Sequence, residues 1–322
     1  MVTSVLTAFK SARKDALRHM AASERARYRW GETTITEIVT SRAARAVHVV
    51  PFTQPAEGLS GADWVWWWVD ASSAYGMLVQ AKRVTIKAES WSFDFDYQSP
   101  KAKRSQREVL RSTAAVLGVL PVYALYLGTG DYRSWERCSK RHTGHGCGRC
   151  CRRAVSLMPE LLASTVMVTD STSTYEKSVA LEEMWTSSED RPLLIPKVAE
   201  SLKPELAEYF LTEQHGARAV SRSMMDVVLR ERAGQFALAT DGTVSVSDGS
   251  HDVLGPVFTE LPDDTMHGGV HYFEHVLNPL RNVPPDYVLE IMHGDVGTYA
   301  SQPNMPREVA GVVVVDLSDE DE

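Results

Sequence analysis

Apolar positions recur at helical spacing through residues 4–29, the signature of a basic amphipathic helix, and the same period returns over 34–46. A short apolar run, VHVVPF (47–52), predicts a strand, and the turn formers of QPAEGLSG (54–61) follow it. WVWWWV (64–69) and MLVQAKRV (77–84), joined by the turn DASSAYG (70–76), are dense in residues that suit a buried sheet. WSFDFDY (91–97) alternates aromatic and polar residues at period two. That pattern predicts an extended segment with Trp91, Phe93, Phe95 and Tyr97 facing the core and Asp94 and Asp96 facing water. QREVLRSTAAVLGV (106–119) returns to helical spacing, and PVYALYLG (121–128) reads as a strand. A helix between two strands of one sheet implies an α/β layer.

Past residue 155 the pattern is weaker. It predicts helices near 159–164, 175–185, 197–214, 219–231 and 270–278, and strands near 235–239, 243–247, 287–292 and 309–317. The chain has no internal repeat. The expected organisation is an N-terminal helical segment (1–31), an α/β core (32–130), a short Cys/His-rich insert (131–155), an acidic α+β region (156–315) and an acidic tail (316–322).

The 322 residues carry 34 Lys and Arg against 42 Asp and Glu, a net charge of -8 that taken whole disfavours a nucleic-acid partner. Its distribution changes that picture. Residues 1–153 hold 24 of the basic and 13 of the acidic residues, and the remaining 10 and 29 lie beyond, so a basic half precedes an acidic one. No apolar run is long enough to span a membrane, and no secretory signal opens the chain; a cytoplasmic protein without a membrane partner is the expectation.

Chemistry enters through three residues. Asp63 directly precedes WVWWWV, and Gln80 and Lys82 lie two apart in the next strand, so their side chains share one face roughly 7 Å apart. A lysine and a glutamine in an otherwise apolar strand need partners, which a facing carboxylate and a metal would supply. The order helix–strand–strand–strand–helix–strand over about residues 32–128, with GADW (61–64) opening the second strand and VQAKR (79–83) on the third, resembles the PD-(D/E)xK superfamily. It is most similar to the Mrr-type endonucleases, in which glutamine commonly replaces the first acid.

That resemblance implies an α/β fold with a restriction-endonuclease-like core, a mixed central sheet flanked by helices. It also implies a metal-dependent endodeoxyribonuclease, with a role in defence against foreign DNA. Mg²⁺ or Mn²⁺ would be held by hard oxygen ligands. Asp63 is then the principal ligand, Gln80 a neutral one, and Lys82 the cation that orients water or stabilises phosphate charge. A further carboxylate is expected from the first helix of the core, Glu37 first and Glu32 second, although Thr34 and Glu37 also fit a capping box. Gln106, opening the next helix, would face the site. The rival reading is a catalytically degenerate nuclease fold that binds nucleic acid or a partner protein.

All four cysteines lie within 14 residues: Cys138, Cys147, Cys150 and Cys151, with His142 and His145 between them. Cys147-x-x-Cys150 suits a tetrahedral structural Zn²⁺, completed by Cys138 and one of Cys151, His142 or His145. Arg141, Arg149, Arg152 and Arg153 make this insert basic. Together with Arg83, Lys101, Lys103 and Arg104 they are the candidate contacts to the DNA backbone. The acidic half is a candidate surface for a homodimer or a regulatory partner. His271-Tyr-Phe-Glu274-His275 matches a zinc-peptidase pattern, but two glycines precede it and few residues remain downstream for the further carboxylate, so these histidines read as ordinary polar groups.

Overall fold

A computed structural model describes residues 4–51, 64–87, 90–98, 100, 103–129, 153–163, 174, 177–185, 202–232, 243–245, 255–258, 260–262, 271–294 and 309–318. The tryptophan-rich segment is β2 (Trp64–Val69), and it pairs antiparallel with β3 (Ala74–Arg83), Trp64 opposite Val79 and Val69 opposite Ala74. The turn between them is shorter than the pattern predicts, because Asp70 folds it: its Oδ1 accepts from the backbone N–H groups of Ser72 and Ser73 at 2.7 and 2.8 Å. From β3 the chain passes through the hairpin β4 (Thr85–Lys87) and β5 (Ser90–Ser92), then α3 (Gln106–Leu117), to β6 (Leu120–Tyr126), which lies parallel to β3 with Gln80 opposite Tyr123 and Lys82 opposite Leu125. The helix has clear ends. Ser105 and Glu108 form a reciprocal capping box at its start, and Gly118 closes it with φ 62°, a left-handed turn that glycine adopts without strain.

Two helices precede the sheet. α1 (Val5–Arg25) buries Val5, Ala8, Phe9, Ala12, Ala16 and Met20 along one stripe, and Phe9 lies 6.0 Å from the ring of Trp66 and 5.9 Å from that of Trp68. The contiguous tryptophans therefore divide between the two faces of the sheet, Trp66 and Trp68 on the α1 side and Trp67 on the other. α2 (Glu32–Ala43) begins two residues before the expected start, at N-cap Gly31, which makes no side-chain cap. The expected Thr34–Glu37 capping box is accordingly not the helix start.

The sheet extends beyond the segment expected to hold it. Its eight strands run β1 (His48–Pro51), β12 (Gly311–Asp316), β2, β3, β6, β7 (Val155–Pro159) and β8 (Val179–Ala180), with β11 (Leu280–Arg281) pairing with β3. β12 is parallel to β2 and antiparallel to β1, so a strand from the far end of the chain separates the two strands that the sequence order would make neighbours. The sheet thus crosses the boundary drawn at residues 155 and 156. The fold is a mixed α/β arrangement, a central mixed sheet flanked by helices.

Among the later elements are α4 (Pro204–Leu211), α5 (Gly216–Arg232), the two-stranded pair of β9 (Thr243–Ser245) and β10 (Glu260–Pro262), α6 (Tyr272–Leu277) and α7 (Asp286–His293). Several expectations change here. Residues 287–292 are helical rather than extended: Tyr287, Val288 and Ile291 bury one face at i, i+1, i+4 spacing, between Pro285 and the left-handed Gly294. Residues 159–164 shorten to the 3-10 turn Glu160–Leu162, and 175–185 resolve into β8 and the 3-10 turn Leu181–Glu183. The aromatic alternation at 91–97 does not continue as a strand past Ser92: the chain turns at Phe95 and Asp96, Phe95 is buried, and Tyr97 is 45% exposed. Asp94 and Asp96 are exposed, as expected. The strand expected at 235–239 lies outside the described residues. Among the described residues, no helix is long and apolar enough to cross a membrane.

Candidate active site at the end of β3

Strand alternation sorts the side chains of β3. Val79 and Ala81 face α2, lining a small apolar cavity with Thr36 and Val39. Gln80 and Lys82 point to the opposite face, beside Tyr123 and Leu125 of β6. Both are buried, at 4% and 5% exposure. The Nζ of Lys82 donates a 2.8 Å hydrogen bond to Oε1 of Gln106, the first residue of α3. The structure therefore joins two of the residues picked from sequence, and it keeps Gln80 on their face.

Among the described residues, the helix carboxylate bonded to this strand end is Glu32 rather than Glu37. Glu32 is half-buried, and its Oε1 accepts 2.7 Å from the backbone N–H of Arg83. Val84 N–H bonds the carbonyl of Tyr126 on the β6 side. By alternation the Arg83 N–H points to the other edge, which the described part of β2 leaves open because its pairing stops at Trp64 and Val79. Glu37 lies exposed on α2, away from the stripe of Ile35, Thr36, Val39 and Thr40 that touches the core. The physical signal for Glu32 was available: an acid directly after a glycine fits the first helical turn, where the helix dipole favours it.

Sequence reasoning missed a second acid at this end of the sheet. Glu24, near the end of α1, accepts from Trp30 Nε1 at 3.2 Å and from the backbone and hydroxyl of Thr129, three residues past β6. It fixes the segment that leads into α2. Arg83, a candidate DNA contact, donates 2.9 Å to the carbonyl of Trp30 and lies 5.6 Å over its ring. Arg153 likewise donates to the carbonyl of Ser178. Lys103 and Arg104 are exposed, the latter reaching Ser112 at 3.2 Å.

Next to Gln106, the face continues into a charged cluster. Glu160 is fully buried, and Arg107 and Arg111 each donate through Nε to one of its oxygens, the second at 2.6 Å. Two guanidinium groups compensate a carboxylate that burial alone would make costly. Tyr123 packs 4.6 Å from the Phe95 ring, and burial, reinforced by Glu160, pushes its phenol well above the usual range against the pull of Arg107.

Asp63 lies outside the described residues, bonded to Trp64, whose partner Val79 directly precedes Gln80. Cys138, His142, His145, Cys147, Cys150, Cys151, Lys101, Arg141, Arg149 and Arg152 also lie outside them. Among the described residues, no three His, Cys, Asp or Glu side chains are grouped to hold a metal, which includes His271, Glu274 and His275. At the end of β3, Glu32 of α2 meets the backbone of Arg83, and Gln80, Lys82 and Gln106 lie on the face turned away from α2. Mg²⁺ usually takes one or two carboxylates and completes its shell with water or substrate. Such a site would need Glu32 and Asp63 as its carboxylates at this strand end.

Residues 5–319 match a family described as a family of unknown function, DUF6615. The chain belongs to DUF6615. No curated protein and no solved structure matches it.

Proposed function

We propose that this protein is a metal-dependent endodeoxyribonuclease with a restriction-endonuclease-like core. The observation that carries the reading is the pairing of Lys82 with Gln106 on the face of β3 that also holds Gln80, at a strand end where Glu32 is anchored. β2, β3, α3 and β6 give the strand–strand–helix–strand order that the QxK resemblance implies, with β3 antiparallel to β2 and parallel to β6. β12 between β1 and β2 is a departure from the simple order, and it leaves the β3 end unaffected.

In this reading Asp63 is the second carboxylate, with Glu32 in the role first assigned to Glu37. Magnesium, when bound, would supply Lewis acidity and orient the attacking water. Lys82 neutralises charge developing on the phosphoryl oxygens, and Gln106 holds its ammonium in one direction. Gln80 offers a carbonyl oxygen, a weaker ligand than glutamate. Of the candidate DNA contacts, Lys103 and Arg104 are exposed, and the cysteine cluster is proposed as a zinc-stapled basic insert that adds to the DNA-facing surface.

A non-catalytic nucleic-acid binder is the second reading, favoured by one observation: Lys82 donates to Gln106, a neutral carboxamide. Incubation of plasmid DNA with the purified chain and Mg²⁺ or Mn²⁺, beside Asp63→Ala, separates the two. Metal-dependent nicking that Asp63→Ala abolishes supports the nuclease. DNA binding without cleavage by the wild-type chain would overturn it in favour of the binder.

A further inference from the structure

α1 ends in a turn that carries three arginines out from the fold. Arg27 N–H bonds the carbonyl of Glu24 at 3.0 Å and Tyr28 N–H bonds that of Ser23 at 2.8 Å, the paired bonds of a Schellman cap. The left-handed position of such a cap is ordinarily a glycine. Here it is Arg27, with φ 58°, and among the described residues no other non-glycine residue has a positive φ. A side chain kept where glycine would relieve strain argues that the side chain is used. Arg25, Arg27 and Arg29 are exposed, and Tyr28, between the last two, is 76% exposed. Among the described residues none of these three guanidinium groups meets an acid, whereas Arg18 and Arg42 both pair with Asp15.

The loop borders the end of β3, and Trp30 anchors it. Trp30 is buried, its carbonyl accepts from Arg83, and the Arg83 guanidinium lies over its ring. The flanking acids are occupied by the fold, Glu24 by Trp30 and Thr129 and Glu32 by the N–H of Arg83. Four guanidinium groups beside two carboxylates leave this surface positive, which suits a polyanion. Tyr28 decides which one. A lipid surface takes several inserted apolar side chains, and with Trp30 buried the loop offers one ring. One exposed ring with cations on either side matches a sugar–phosphate backbone whose base stacks on the tyrosine. Duplex bases hide their faces in the stack, and unpaired bases present them. We propose that the α1–α2 loop docks an unpaired strand of DNA beside the end of β3, with Arg25, Arg27 and Arg29 on its phosphates and Tyr28 against a base.

The choice of DNA rests on the nuclease reading, but binding is measured in EDTA, where metal-dependent cleavage is silent, so either can fail without the other. Fluorescence anisotropy of the full chain with a labelled oligothymidylate of about 16 nucleotides should show salt-sensitive binding. Tyr28→Ala should weaken it about fivefold or more, and should leave binding to a blunt duplex of the same length within about twofold. Arg27→Gly keeps the turn and relieves its strain, so its melting temperature should be no lower than that of the wild type. Its slope of log affinity against log salt should nevertheless fall by about 0.7, one phosphate contact on a single strand. Absence of binding to the single strand would overturn the proposal. So would equal effects of Tyr28→Ala on strand and duplex, an Arg27→Gly chain with wild-type affinity and salt slope, or capture by phosphatidylserine vesicles in place of the oligonucleotide.

Discussion

Lys82 Nζ and Gln106 Oε1 meet at 2.8 Å, joining the last buried turn of β3's polar face to the first residue of α3. A strand interior that is otherwise apolar accepts an ammonium group only with such a partner. The pairing separates a structural lysine from a chemical one. Lys82→Met removes the charge and keeps the length, leaving one carboxamide oxygen without its donor. Stability should change by no more than about 1–3 kcal/mol in a urea melt, while plasmid cleavage should fall at least about 100-fold. A folded Lys82→Met chain that cleaves at the wild-type rate would remove Lys82 from the site.

The two helix acids make opposite predictions. Glu32 holds the N–H of Arg83 at the end of β3, whereas Glu37 is exposed. Glu32→Gln keeps a carbonyl oxygen for Arg83 but loses the charge a divalent cation needs, so Mg²⁺-dependent cleavage should fall about tenfold or more. Glu37→Gln should leave it within about twofold. The reverse result in a side-by-side titration with Mg²⁺ would return the metal-ligand role to Glu37.

What the sequence made legible is what local pattern controls. β2, β3, α3 and β6 are marked by apolar runs and helical period, and the Lys82 face follows from alternation alone. Gln106 was legible for the same reason, since a helix start directly after a charged loop has few places to be. The resemblance puts Glu37 before Glu32, and only the fold shows that the helix starts at Gly31, with Glu32 in its first turn. The insertion of β12 was not legible: GVVVVD declares a buried strand but carries no information about which neighbours it chooses, and parallel pairing with β2 is a long-range outcome. The helix at 286–293 was hidden by its β-branched residues, whose sheet propensity is overridden by Pro285, Gly294 and the burial of Tyr287 beside Trp67, whose Nε1 donates to the tyrosine hydroxyl at 2.8 Å.

Acid should weaken the fold through Asp70. Burial works to raise its pKa, but the N–H groups of Ser72 and Ala217 and the hydroxyls of Ser73 and Ser72 outweigh it and hold the carboxyl below its usual value. Its Oδ2 accepts 2.7 Å from Ala217 N–H, so a residue in the β2–β3 turn caps the first turn of α5. A folded-state pKa below the unfolded one means the contribution is fully present above about pH 4 and is lost as pH falls through the folded value. Asp70→Ala should cost about 1–2 kcal/mol at pH 7. The gap between variant and wild type should close toward pH 2 in denaturant melts, and a gap independent of pH would show that the carboxylate charge is not what caps α5.

The N-terminal helix should prove integral to the core through one buried ion pair. Arg13 Nε meets Glu182 Oε2 at 3.0 Å, with side-chain exposures of 10% and 3%, linking α1 to the turn after β8 across 169 residues. Neither charge has solvent to fall back on, so removing one strands the other. Arg13→Met should cost about 3–5 kcal/mol, and Glu182→Leu should cost a similar amount. Replacing both leaves no buried charge, and the methionine and leucine can pack against the apolar stripe of α1. The double variant should therefore be far more stable than the sum of the single losses predicts, by about 2 kcal/mol or more on a double-mutant cycle in urea. Additive losses would mean that the two charges do not couple. In that case α1 is held by Phe9 between Trp66 and Trp68, and the Arg13–Glu182 contact adds nothing to its attachment.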